Sequence, residues 1–195
     1  MRTVEYRGEV AGLVRSHPWS DSASAHYLDL RADPALIRRE LEDFVPWAHY
    51  PAIERFYRLL AWINGAASRL ESTDCAFSPP QRNERPDIVA ELECSGRVVI
   101  LFRDLARNLD PEALPALARA LHVALARIDP TLELGVLGTT IAPVRFRALE
   151  EAMGSQLLVS FWAWGDSELD VMTNLARVFA NLAQALQRAG GAHAP

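Results

Sequence analysis

The hydrophobic pattern is strongest between Gln156 and Arg188, where a strand period gives way to a helix period. Gln156 to Trp164 is aromatic and β-branched, which suits a pleated, buried surface. Gly165, Asp166 and Ser167 break it, and Ser167 with Asp170 three residues later forms a capping box that opens a helix. Met172, Leu175, Phe179, Leu182 and Leu186 then recur every three or four residues, one apolar helix face. Gly190 and Gly191 end it.

A second helix follows Asp110 and Pro111, with Leu114, Leu117, Leu121, Leu125 and Ile128 on one side. Earlier, Asp33 and Pro34 open a helix predicted over 34–45, carrying Ile37, Leu41 and Phe44 and stopped by Pro46. Pro51 opens another over 51–64, with Ile53, Phe56, Tyr57, Leu60 and Ile63, closed by Asn64 and Gly65. Strand signals are shorter. Ala90, Leu92 and Cys94 alternate up to a two-residue turn at Ser95 and Gly96. Arg97 to Arg103 is apolar on both faces, as a central strand would be. Leu134 to Leu137 reads as a short strand, and Val144 to Leu149 alternates with both arginines on one side. Two weak strand signals lie within Thr3 to Val14 and at Ala25 to Leu30.

Strands in runs with few helices predict an α+β fold. The expected architecture is a mainly antiparallel sheet with two long helices, 111–128 and 167–189, on one face. The N-terminal helix pair, 34–45 and 51–64, is expected against the other face or the sheet edge. One compact domain is expected: a segment 1–66, a long loop 67–87 without periodic signal, a core 88–190 and a disordered tail 191–195.

Composition narrows the chemistry. The 195 residues are 50% hydrophobic and 23% charged, a globular balance. All twenty basic residues are arginine, which matches a GC-rich bacterial genome and excludes Schiff-base and phosphate-loop lysines. A net charge of −5 without a basic tract argues against nucleic acid as partner. No run of about 18 apolar residues suggests a membrane span, and the N-terminus lacks the apolar core of a secretory signal. Cys75 and Cys94 are expected as free thiols in a reducing cytoplasm. The five histidines are scattered, with neither H-E-x-x-H nor C-x-x-C, so neither metal nor cofactor is expected.

The candidate surface is a sheet face. Strand alternation puts Leu157, Val159 and Phe161 on the helix side and Gln156, Ser160, Trp162 and Trp164 on the other. If the strand at 144–149 pairs with 156–164 through a turn at Met153 and Gly154, Arg145 and Arg147 join the tryptophans. Tryptophan and arginine are the residues most enriched at binding hot spots. The competing reading is that the N-terminal helices cover this face with Phe44, Phe56 and Trp62. The functional expectation is a non-catalytic protein binder, an immunity or regulatory partner or a homodimer. The alternative is a small-molecule site or enzyme with a pocket under the 66–87 loop, with Asp74, Cys75 and Arg103 at its mouth.

Overall fold

The structure, a computed structural model, describes residues 1–5, 14–19 and 27–191. Its strands are β1 (Arg2–Glu5), β2 (Arg15–His17), β3 (Leu70–Arg82), β4 (Leu92–Phe102), β5 (Gly135–Phe146) and β6 (Ala152–Gly165). Its helices are α1 (Leu36–Arg39), α2 (Pro51–Asn64), α3 (Ala113–Ile128) and α4 (Glu168–Leu186). The sheet order is β1-β5-β6-β4-β3, with β2 also beside β5. The long strands pair antiparallel, and only the two short N-terminal strands lie parallel to β5. This is the α+β class that the pattern predicts. Most of the weak signal within Thr3 to Val14, a third of that at Ala25 to Leu30, and the tail beyond residue 191 lie outside the described residues.

The opening motif folds as read. Ser167 Oγ accepts the Asp170 amide at 3.2 Å and starts α4, and Met172, Leu175, Phe179, Leu182 and Leu186 are all buried. The helix packs on α2, α3 and β6. Phe161 projects from β6 against Phe179, their ring centroids 4.8 Å apart, and Phe56 of α2 lies 4.8 Å from Phe179. Phe44 stacks on Phe56 at 4.7 Å and on Phe77 of β3 at 5.2 Å. α2 packs on α4 and beside β3, and its Phe56 meets Phe161 on the helix side of the sheet.

Three sequence expectations are corrected. Residues 67–87 are not a loop, because Leu70–Arg82 is an edge strand of 13 residues. Its first part is buried yet polar, so it lacks a hydrophobic period. Ser72 and Asn64 share two hydrogen bonds, at 2.8 and 3.1 Å, that make this burial affordable. Ser95 and Gly96 are not a turn. β4 runs straight through them, and Gly96 sits opposite Phe161. A Cβ on Gly96 would fall 2.4 Å from the Phe161 ring and 2.3 Å from the Ala76 carbonyl oxygen. The glycine makes room for the ring. Finally, 34–45 forms only the single turn α1, although Ile37, Leu41 and Phe44 still reach the core.

The Asp129 carboxylate, at the end of α3, receives Arg177 of α4 through two N–H groups at 2.9 and 3.0 Å. These bonds, aided by Thr131 and Asn181, hold its pKa at about 2.

Two outcomes follow. Phe161→Ala removes the ring at the centre of the core and should lower unfolding free energy by about 3–5 kcal/mol in chemical denaturation. Asp129 has a folded pKa below its ordinary value, so its contribution is full above about pH 4 and is lost as pH falls toward 2. Asp129→Asn should therefore flatten that part of the acid-unfolding curve, and an unchanged acid limb would show that the pair contributes nothing.

Candidate functional site

Register assigns the two faces of the sheet. Trp162 lies opposite Ser95 of β4 and Val136 of β5, and Ser160 lies opposite Arg97 and Gly138. The face carrying Leu158, Ser160 and Trp162 therefore also carries Arg97 and Thr140. These residues are half-buried, whereas Leu157, Val159 and Phe161 on the helix side are fully buried. α2 and α4 meet the sheet through the Phe161 side, so they do not cover the tryptophan face.

One end of this face is closed by the chain between β3 and β4. Asn83 folds that segment into an arm, its Nδ2 donating to the Ile88 and Ala90 carbonyls at 2.9 Å each. The arm places the Arg85 guanidinium 5.5 Å from the Trp162 ring and 5.6 Å from that of Trp164. Trp164 is buried, 1% exposed, and its indole N–H donates to Glu93 at 3.2 Å. Glu93 also lies 3.7 Å from Arg85. So Trp164 is an anchor for the arm, and Trp162 is the tryptophan left at the surface.

The expected arginine partners are elsewhere. β5 and β6 do pair, but the connection is the turn at 147–151, where Glu150 and Glu151 take positive φ of 53° and 62°. Met153 is already in β6, opposite Arg145. This register puts the even-numbered residues of β5 on the Trp162 side and Arg145 on the other, and Arg147 is exposed in the turn. The guanidinium beside the tryptophan rings belongs instead to Arg85. Composition within 66–87 signals nothing of it, because its position depends on the Asn83 clip.

The other end is closed by the N-terminal segment. His17 Nε2 lies 3.3 Å from one Glu71 oxygen, and Arg31 donates to the other at 2.7 Å. Glu71 is buried, as is His17. Burial, then the Glu71 charge, pushes the Tyr27 hydroxyl well above its ordinary pKa. Arg15 and Arg97 both reach Asp74, at 3.3 and 3.0 Å, and the Trp19 indole donates to the Thr73 carbonyl at 2.7 Å.

Arg103 does not join Asp74 and Cys75. It donates to the carbonyls of Leu70, Ile63 and Gly65 at 2.8, 3.1 and 2.5 Å, closing the C-terminal end of α2. Burial, with Arg31 nearby, lowers its pKa. Asp74 and Cys75 do line a cavity of about 300 Å³ together with Leu28, Leu41, Phe44 and Asp43. Burial, reinforced by Asp74, pushes the Cys75 thiol up to about 12, and burial does the same to Cys94. Both are therefore protonated at neutral pH and poor nucleophiles. Among the described residues no group of three or more His, Cys, Asp or Glu could hold a metal ion, and no helix is long and apolar enough to cross a membrane.

The thiol chemistry is measurable. With iodoacetamide at pH 8, Cys75 and Cys94 should each react at least about a hundredfold more slowly than free cysteine, whose pKa is about 8.5. Fast modification of Cys75 in the folded protein would instead identify an activated thiol. Compared with protein-family models, curated proteins and solved structures, the chain matches none.

Proposed function

We propose that this chain is a non-catalytic protein-binding module that holds its partner on the tryptophan face of the sheet. The observation that carries the reading is the one-sidedness of the cover. The packed helices meet the sheet through Phe161, while Leu158, Ser160 and Trp162 stay half-open between the Arg85 arm and the Arg15–Trp19 segment. A half-open indole beside a guanidinium is hot-spot composition, apolar in body and polar at its rim.

Other features fit the same reading. Both thiols are unbridged and held in their neutral form, which suits binding in a reducing cytoplasm better than cysteine catalysis. The net charge of −5 favours a protein over nucleic acid. An acidic binder of this size suits a regulatory or immunity role, with a second copy of the chain as the simplest partner to test.

The test uses a photo-crosslinking amino acid placed at Leu158 in the native host, with Val123, exposed on α3, as the control position. The expected result is one discrete adduct from position 158, absent from position 123 and lost in Trp162→Ala, which should weaken association at least tenfold. An adduct of twice the chain's mass would make the partner a second copy. Equal crosslinking from both positions, or none from 158, overturns the proposal.

A further inference from the structure

The edge of β3 carries a second surface, separate from the Trp162 strip. A cleft of about 300 Å³ runs beside residues 72–75 of this strand. Leu41 and Phe44 are buried in its floor, Leu28 and Cys75 are half-buried, and Glu42 and Asp43 are exposed at its rim. Among the described residues, none that lines the cleft is an arginine. The acids already matched in this region are Asp74, held by Arg15 and Arg97, and Glu40, held by Arg39. Glu42 and Asp43 have no guanidinium partner among the described residues.

The main chain beside the cleft has a defined pairing state. β3 bonds to β4 on one side and has no strand on the other among the described residues. At the start of the strand the outward groups are used: the Leu70 carbonyl accepts from Arg103, the Ser72 amide donates to Asn64, and the Thr73 carbonyl accepts from Trp19. After the bulge at Thr73, the antiparallel alternation turns the main-chain groups of Cys75 and Phe77 outward. No described residue bonds to them. Pro79 and Pro80 follow and end the usable edge. What remains is a short pairing site whose first residue, Cys75, borders the apolar floor and acidic rim of the cleft.

We propose that this cleft takes an extended, arginine- or lysine-bearing segment of a partner protein, added as a short strand along Cys75 to Phe77. Backbone pairing supplies the extended form, with alternate side chains meeting the floor. Leu28 and Leu41 select apolar residues at one alternation. Glu42 and Asp43 select basic residues at the other. The span from the bulge to Pro79 admits about five residues at roughly 3.3 Å each.

The test is fluorescence anisotropy with three labelled seven-residue peptides and the full-length protein. The first alternates arginine and valine, the second alternates glutamate and valine, and the third is the arginine peptide with N-methyl groups on alternate amides. The arginine peptide should bind at least tenfold more tightly than either of the others. Glu42→Arg combined with Asp43→Arg should weaken it at least tenfold, with the far-ultraviolet circular dichroism unchanged. Trp162→Ala should leave its affinity within twofold, which separates this site from the tryptophan face. Equal binding of the N-methylated peptide would reduce the effect to charge attraction and overturn the strand addition. Equal binding of the glutamate peptide, or insensitivity to the rim substitutions, would overturn the proposed ligand chemistry.

Discussion

The fold depends on one ring having a place to lie. Phe161 crosses β4 at Gly96, the position where no Cβ blocks it, and so reaches Phe179 and Phe56 together. Edge-to-face and tilted aromatic contacts at these distances contribute beyond the area they bury. The same cluster extends through Phe44 to Phe77, so the sheet edge, the irregular N-terminal stretch and two helices share a single set of packed rings. Replacing the glycine would displace the ring, and with it the seat of α4. The core is therefore continuous from β6 to the edge strand.

That continuity decides where the candidate surfaces lie. Phe161 and its neighbours fill one side of the sheet, and the other side carries only a smaller apolar cluster of Leu101, Val144 and Phe146, with Leu105 and Leu149 packed on it. Beyond that cluster, the cover is polar. The Asn83 clip positions Arg85 over the tryptophans at one end, and Glu71 draws His17 and Arg31 over the other. Buried carboxylates need such partners, since an unpaired charge out of water is costly. Both ends are thus closed by charge pairing, and the strip between them stays half-open.

The periodic elements were legible in the sequence for a simple reason. α3, α4 and β6 each bury one face against a large apolar core, so burial leaves a regular mark on residue type. β3 was illegible because three of its five buried residues are Glu71, Ser72 and Thr73, made tolerable by partners outside the strand. Gly96 read as a turn because a glycine that admits a crossing ring looks the same in sequence as one that bends the chain. The alternation that separates Trp162 from Phe161 was readable from β6. The partners of Trp162 were not, because they depend on register. Moving the hairpin turn from Met153 and Gly154 to residues 147–151 places Arg145 on the opposite face from the one expected. Arg85 reaches the tryptophans through a folded arm whose geometry has no local signature beyond Asn83.

The separation between the two faces of the sheet has a consequence for how the molecule can change. The residues that hold the fold together, Phe161 and its neighbours, share almost nothing with Leu158, Ser160, Trp162 and the Arg85 arm. Substitutions on the half-open strip disturb less buried area than those at Phe161, so they cost less stability. The half-open face and the folding core are then largely separate in this chain. The residues of one face can vary while the other goes on supplying the same scaffold.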